Sequence, residues 1–326
     1  MILSWILPLI LLYATFLTAS SARDVYQHEW DIRNVLEMLR NRELIFLGDS
    51  LTRYQYLNFV DFQHTGQWMS RPPYSESERQ WSKTKGNWPL FLKMTNLRLG
   101  GNEICDCYRD PAHPLDIVGP VGVKENRHYL DLRYNISVKF LWWTGYQFIM
   151  SKMPEKFDFE NIDNSLDNWI FSDTKFTPKF DYKYDTLEDL LYEQINPRYP
   201  DFLVFNVGIW DSSTELQNMR NNPKEYAGFL KESARFPIWK RTTTKRSESA
   251  DRDDPHMLEV FRNESIITFD AYSLTVPFSV DPNNYDDANH FKPFVYAVLN
   301  ANLLSLLKDL LASISNTALD NSSDVN

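Results

Sequence analysis

Short apolar runs alternate with amphipathic helical patterns along this chain, and this alternation limits the fold more than any other feature. Apolar runs of strand length occur at 43–48 (ELIFLG), 129–132, 137–143 (SVKFLWW), 201–208 (DFLVFNVG), 236–241 and 265–270. Helical spacing of apolar residues occurs at 32–39, 50–59, 186–195, 223–232 and from Pro293 onward. Strands that are apolar on both faces belong to parallel sheets covered by helices on both sides. The pattern predicts an α/β three-layer sandwich with a mostly parallel sheet.

The length of 326 residues suits one large domain of this class. Residues 23–312 are predicted to form it, with a less regular insertion from His64 to Arg127 and a charged surface loop at Lys245–Pro255. Residues 313–326 are polar and are predicted to be a disordered tail. No internal repeat and no second domain are predicted.

Residues 1–22 form an apolar leader that carries no charged side chain from Ile2 to Ala22. Two interpretations remain open: a signal peptide cleaved after small residues, or an uncleaved anchor with the rest of the chain in the lumen. Both predict the secretory pathway, either membrane-anchored in the Golgi lumen or secreted. Sequons at Asn135, Asn263 and Asn321 agree with this compartment and are candidate glycosylation sites.

The charge balance and the cysteine count exclude several classes of protein. Lys and Arg number 34 against 44 Asp and Glu, a net charge of −10, so a nucleic-acid partner is not expected. Only Cys105 and Cys107 are present, which excludes a disulfide-rich scaffold and a four-cysteine zinc site. The pair is open to a local disulfide, free thiols or pairing with another chain. No H-E-x-x-H motif occurs, and neither a metal nor a cofactor is predicted.

The segment Leu47–Arg53, LGDSLTR, lies where a predicted strand meets a predicted helix. Ser50 would stand at the helix N-terminus, where free N–H groups and the helix dipole favour a developing negative charge. The alternative is that Asp49 or Ser50 only caps the helix.

A second motif, Asp287-Ala-Asn-His290, follows the last predicted strand and favours the catalytic interpretation. A nucleophilic serine needs an imidazole to accept its proton, and the imidazole needs a carboxylate to fix its tautomer. Ser50, Asp287 and His290 follow one of the known triad orders, Ser, Asp, His. An isolated D-x-x-H would more often be a surface histidine beside an acidic loop.

A third segment, FNVGIWD from Phe205 to Asp211, ends another apolar run. The amide of Asn206 could donate a hydrogen bond to an oxyanion, whereas the alternative is a simple Asn/Gly turn. No G-x-S-x-G motif occurs, which disfavours the common α/β-hydrolase fold.

Together, LIFLGDSLTRYQ, PDFLVFNVGIWD and DDANH resemble the SGNH/GDSL superfamily, and most closely its PC-esterase branch, which contains the plant trichome-birefringence-like polysaccharide O-acetyltransferases. The resemblance spans about residues 42–311. It implies Ser50 as nucleophile with Asp287 and His290 as partners. It implies oxyanion donors at the Ser50 N–H, at Asn206 and at a glycine, Gly100 or Gly101, although a plain loop glycine is the alternative.

Arg53 matches the GDSLxR pattern of that family and would contact an acyl donor or acceptor, or else be a solvated helix residue. Trp210 would stack on a sugar ring or pack in the core.

The plant proteins carry cysteines beside the D-x-x-H histidine that this chain lacks, which puts their acceptor specificity in doubt here. The resemblance implies an O-acyltransferase, with acetyl as the expected acyl group, an unidentified acyl donor and a carbohydrate acceptor. An esterase with the same site and a non-catalytic glycan-binding module are the alternatives.

Overall fold

The computed structural model describes residues 30–69, 91, 95–109, 123–145, 184, 186–210, 213–246 and 251–323, the last range with side chains as far as 314. The predicted leader at 1–22 lies outside these residues. The described chain forms seven strands: β1 Glu43–Gly48, β2 Glu103–Arg109, β3 Val123–Asp131, β4 Ile136–Trp142, β5 Phe202–Phe205, β6 Phe236–Lys240 and β7 Ile267–Phe269.

One sheet contains all seven strands, in the order β2-β3-β4-β1-β5-β6-β7. The neighbours from β4 through β1, β5 and β6 to β7 are parallel, whereas β2 and β3 pair antiparallel and β3 pairs antiparallel with β4. The predicted mostly parallel α/β sheet is therefore confirmed, with an antiparallel extension at one edge. The carboxyl ends of β1, β5 and β6 lie side by side, which is where such sheets place ligand sites.

Helices cover both faces of the sheet. The α-helices are α1 Ile32–Met38, α2 Ser50–Thr65, α3 Thr214–Asn221, α4 Pro223–Ser233, α5 Pro255–Asn263, α6 Ala271–Ser279 and α7 Pro293–Ser323, and helical turns run through Leu187–Asp189, Leu190–Ile195 and Asn196–Arg198. Because strand side chains alternate, Leu44 and Phe46 face α1, α2, α6 and α7, whereas Ile45 and Leu47 face the helical turns, α3, α4 and α5. The three-layer arrangement follows from these two apolar cores.

Three segments differ from the sequence expectations. The stretch expected to be an irregular insertion contains β2 and the first part of β3, which continues into the run predicted at 129–132. After the charged loop expected at 245–255, helices α5 and α6 flank the strand predicted at 265–270, and the apolar spacing predicted neither helix. The tail expected to be disordered from 313 is helical to Ser323, because α7 continues through it.

Helix α7 is, within the described residues, the helix long and apolar enough to cross a membrane, over Pro293–Ile314. Half of that stretch is buried inside the protein. Val295, Leu299 and Leu303 are among its fully buried residues and belong to the core beside α2. This burial is what a core helix of the α/β sandwich requires.

Candidate active site

The turn from β1 into α2 brings three elements close together. Gly48 ends β1, and a Cβ placed there would lie 2.5 Å from the Asn206 carbonyl oxygen and 2.7 Å from Thr52 Oγ1, so a side chain does not fit. Asp49 is the N-cap of α2 and accepts a hydrogen bond from the Leu51 N–H at 2.9 Å. The capping interpretation therefore applies to Asp49, and it leaves Ser50 as the first residue of the helix with its hydroxyl free to face another loop.

Ser50 meets the D-x-x-H loop, although 240 residues separate Ser50 from His290. The Ser50 Oγ lies 2.7 Å from His290 Nε2, and His290 Nδ1 lies 2.7 Å from Asp287 Oδ2. The loop is closed by a β-bridge between Tyr285 and Phe291, whose rings stack at 4.2 Å. The structure thus brings together the three predicted catalytic residues in one hydrogen-bonded chain.

Asp287 is fixed by the backbone of its own loop. Its Oδ1 accepts hydrogen bonds from the N–H groups of Asn289 and His290 at 2.8 and 2.9 Å. Partial burial raises the pKa of Asp287, but the hydrogen bond and charge of His290 and these two N–H groups outweigh it and hold the pKa well below its usual value. Asp287 is therefore a carboxylate at neutral pH, which is the form that holds the proton on His290 Nδ1 and leaves Nε2 to accept one from Ser50.

The imidazole also packs against an aromatic residue of the nucleophile helix. The Tyr54 ring meets the His290 ring edge-on, with centroids 5.0 Å apart, and lies 5.9 Å from the Tyr296 ring of α7. Tyr54 is one turn beyond Ser50 on α2, so the same helix supplies the hydroxyl and a wall for the imidazole. The contact limits rotation of the ring away from Ser50.

Arg53 is not a solvated helix residue, and its contact with an acyl donor or acceptor stays a prediction. Its side chain is 3% exposed, and its Nη1 donates to Glu125 Oε2 at 3.0 Å. Glu125 also accepts from Arg127 Nε at 2.7 Å, and Arg127 donates to Glu103 at 2.7 Å. We call Arg53, Glu103, Glu125 and Arg127 the buried ion network; it ties α2 to the antiparallel edge of the sheet.

Sequence reasoning missed Glu125 and Arg127. They are two positions apart in β3, so their side chains share one face of the strand, and both are buried. The alternation of charge in KENRH is the signal that could have identified them. Their burial also explains why no apolar periodicity marks the first part of this strand.

Asn206 lies at the carboxyl end of β5 and is fully buried. Its Nδ2 donates to the Lys240 carbonyl oxygen at 2.7 Å and to Thr242 Oγ1 at 3.2 Å. Both amide hydrogens are thus used to join β5 to β6 and to the chain that follows it. An oxyanion role for Asn206 stays a prediction, and it requires one of these hydrogen bonds to be released.

The other predicted oxyanion donor is the Ser50 N–H. It stands at the start of α2 and belongs to the helix N–H groups that have no intrahelical acceptor.

The glycine expected at the oxyanion site is elsewhere. A Cβ at Gly100 would lie 3.4 Å from His64, which is near the far end of α2 from Ser50, about 21 Å along the helix axis. The prediction that Gly101 supplies an oxyanion donor is therefore wrong, because the glycine pair turns the chain into β2. A glycine with positive φ that does lie at the site is Gly208, with φ of 76°, where an added Cβ would be 1.8 Å from Asp49 Oδ2.

The remaining predicted residues lie outside the hydrogen-bonded chain. Trp210 is half-buried directly after Ile209, whose N–H donates to Asp49 at 3.2 Å, and its contact with substrate stays a prediction. Asn135 and Asn263 are exposed, and the side chain of Asn321 lies outside the described residues. The two cysteines form a disulfide within β2, with Cα atoms 5.4 Å apart.

No protein-family profile matches this sequence, and no curated protein is significantly similar to it. The case for a function therefore rests on the residues of the site and on their geometry.

Proposed function

We propose that the protein is a serine acyl-transfer enzyme, an O-acyltransferase that moves an acyl group, acetyl by expectation, onto carbohydrate hydroxyls. The observation that carries this proposal is the chain of two 2.7 Å hydrogen bonds from Ser50 through His290 to Asp287. Nucleophile, base and orienting carboxylate are in hydrogen-bond reach of one another, which is the signature of an activated serine.

The first half-reaction forms an acyl-serine. Ser50 Oγ attacks the carbonyl carbon of the donor while its proton passes to His290 Nε2. The negative charge then moves to the carbonyl oxygen, which the Ser50 N–H and the N-terminus of α2 stabilise. The C–O bond to the leaving group breaks, the electron pair stays on the leaving oxygen, and His290 returns the proton to it. The ionised Asp287 stabilises the imidazolium between these two proton transfers.

The second half-reaction uses the same groups in reverse. A sugar hydroxyl gives its proton to His290 Nε2 as its oxygen attacks the acyl-serine, and Ser50 leaves with the proton returned. The carbohydrate acceptor comes from the resemblance to the polysaccharide O-acetyltransferases of the SGNH/GDSL superfamily. The three-layer fold with a mostly parallel sheet is compatible with that superfamily.

Hydrolysis is the second candidate function, and the exposure of the site favours it. The side chain of Asp287 is 56% exposed and that of His290 is 20% exposed, so water reaches the catalytic chain. If water replaces the sugar hydroxyl in the second half-reaction, the same residues make an esterase. A glycan-binding module without catalysis is disfavoured, because binding a sugar requires neither the serine nor the hydrogen bonds that orient His290.

The compartment is part of the proposal. The apolar leader and the exposed Asn135 and Asn263 support entry into the secretory pathway, anchored in the Golgi lumen or secreted. Digestion of the protein made in eukaryotic cells with an N-glycosidase tests it directly. A mass decrease at Asn135 or Asn263 supports this assignment, and unmodified asparagines at both positions contradict it.

The test of function is incubation of the full-length chain with p-nitrophenyl acetate, with and without oligosaccharides, beside Ser50→Ala and His290→Ala. We expect acylation in the native protein and none above background in either variant. The matched control is Ser137→Ala, since Ser137 Oγ also lies 3.0 Å from a histidine, His128 Nε2, but at the amino ends of β4 and β1, opposite the carboxyl ends beside Ser50. Turnover retained in Ser50→Ala refutes the proposal. Acetylated sugar supports the transferase, and acetate alone supports the esterase.

A further inference from the structure

Lys240 is a fully buried lysine beneath the nucleophile turn. It ends β6 with 0% of its surface exposed, and its Nζ donates to Thr52 Oγ1 at 3.4 Å. Thr52 is two residues beyond Ser50 in the first turn of α2. The backbone carbonyl of Lys240 also accepts the amide of Asn206. One residue thus connects β6 to the nucleophile helix and to the end of β5.

A buried ammonium group is costly unless negative charge compensates it. Two elements supply carboxylates that act on it: Asp49 at the start of α2, and Asp253 before α5. Asp253 has partners of its own, since it accepts hydrogen bonds from Thr242 and lies 3.5 Å from Arg241 Nε. Burial lowers the pKa of Lys240 to about 8, with both carboxylates opposing the shift.

Asp49 is equally buried and stands directly before the nucleophile. Its two carboxylate oxygens accept from the Leu51 and Ile209 N–H groups, which joins α2 to the turn after β5. Burial raises the pKa of Asp49, and the positive charge of Lys240 is the largest effect that lowers it, followed by these N–H groups and by His290. Lys240 is therefore the cation with the largest effect against the raised pKa of Asp49.

We propose that Lys240 is a positioning residue of the acyl-transfer site: its buried ammonium group, which donates to Thr52 in the first turn of the nucleophile helix, offsets the negative charge of Asp49 next to the oxyanion that forms at Ser50. This inference rests on the proposed function. Without the cation, Asp49 has two unfavourable states. As a carboxylate it repels the oxyanion, and as a neutral acid it is a weaker acceptor for the N–H groups that fix the turn.

A purely structural role predicts something different. Buried ion pairs contribute little to stability compared with apolar residues of similar volume. If Lys240 only packed, methionine should therefore replace it without loss of rate. If Lys240 acted only through its hydrogen bond, glutamine should keep the native rate, because its amide can still donate to Thr52. Only the electrostatic role requires the charge itself, and it makes the rate depend on the protonation of Lys240.

The experiment measures Ser50 acylation by p-nitrophenyl acetate from pH 6 to 10 in the full-length protein, in Lys240→Met and in Lys240→Gln. We expect the native rate to fall above about pH 8, where Lys240 loses its proton. Both variants should be slower at pH 7 by about 10- to 100-fold, less than the loss of a direct oxyanion donor, and should lack this fall. Lys139→Met is the matched control: Lys139 is 4% exposed and paired with Glu43 at the opposite end of β1, so the fall should persist.

Each outcome decides the question. If Lys240→Gln restores the native rate, or if Lys240→Met equals the native protein at every pH, the inference is refuted while the proposed function stands. If Lys240→Met does not fold, the glutamine variant and the native pH profile still test the charge. A native protein that never acylates Ser50 refutes the proposed function, and the inference with it.

Discussion

Substitution of Gly208 by alanine perturbs the site through a contact that can be measured in the structure. Gly208 has φ of 76°, and an added Cβ would lie 1.8 Å from Asp49 Oδ2 and 2.1 Å from its Cγ. A carbon and an oxygen need about 3.3 Å, so the turn and the carboxylate must separate by about 1.5 Å. The hydrogen bond from the Ile209 N–H to Asp49, at 3.2 Å, cannot survive that separation.

Two contributions set the expected magnitude. A left-handed backbone costs a residue with a Cβ about 1–2 kcal/mol. The lost hydrogen bond to a buried charged acceptor costs about 1.5–3 kcal/mol. We therefore expect Gly208→Ala to lower the free energy of unfolding by about 2.5–5 kcal/mol. Because Asp49 caps the helix that begins with Ser50, the displaced nucleophile should also react about 100-fold more slowly, as for other misplacements of about 1 Å.

Gly101→Ala is the matched control, since Gly101 has φ of 78° and nothing lies within 4 Å of its added Cβ. Gly101→Ala should lower the free energy of unfolding only by the backbone contribution, about 1–2 kcal/mol, and should leave the labelling rate of Ser50 unchanged. Urea unfolding gives the first quantity, and labelling of Ser50 with a fluorophosphonate gives the second. Equal losses of stability in the two variants, or a native labelling rate in Gly208→Ala, would show that the close contact with Asp49 has no consequence.

Three further measurements test other parts of the structure. Asp287→Asn should slow acylation by about 10³- to 10⁴-fold at unchanged thermal stability, and a change below tenfold would refute its orienting role. Glu125→Gln removes a shared partner of the buried ion network and should cost about 3–5 kcal/mol in urea unfolding, whereas Glu37→Gln, in an exposed pair, should cost less than about 1 kcal/mol. Lys240 has a folded pKa of about 8 against 10.5, so the folded state binds fewer protons between these values. The unfolding free energy of the native protein relative to Lys240→Met should rise by about 3 kcal/mol as pH rises through that window, and a flat difference contradicts the burial of a charged lysine.

The parallel part of the fold could be predicted because its strands are apolar on both faces. Leu44 to Leu47 are all buried, two facing each helical layer, so the run itself indicates a covered strand. Strand β2 and the first part of β3 could not be predicted in this way. Their inward positions include Glu103, Glu125 and Arg127, whose burial is tolerable only because the charges pair with one another across two strands and a helix. That pairing depends on the register of the strands, which a single sequence does not contain.

The candidate triad could be predicted because each member stands at the end of an element where local chemistry points to it. Asp287 and His290 are three residues apart, so their hydrogen bond is local, and Ser50 begins a helix. The prediction that Gly101 lies at the oxyanion site was wrong because no local chemistry marks the correct glycine. A positive-φ glycine marks a turn, and Gly101 and Gly208 both meet that requirement, but the sequence does not tell which turn lies at the carboxyl ends of the parallel strands.

The contacts that hold the histidine loop against the nucleophile helix are non-covalent. The disulfide within the described residues joins Cys105 and Cys107, two positions apart in one strand, so the loop that it closes is too short to restrain the chain much. It does not connect the loop of His290 to α2. That connection depends on the Ser50 hydrogen bond, on the Tyr54 ring and on the stacked Tyr285 and Phe291 that close the loop. The buried ion network and the hydrogen bond from Lys240 to Thr52 hold α2 against β3 and β6. A site assembled in this way depends on the register of its strands rather than on cross-links. Charges paired between β2, β3 and α2 contribute to that register, whereas Lys240 is the buried charge beneath the turn that carries Ser50.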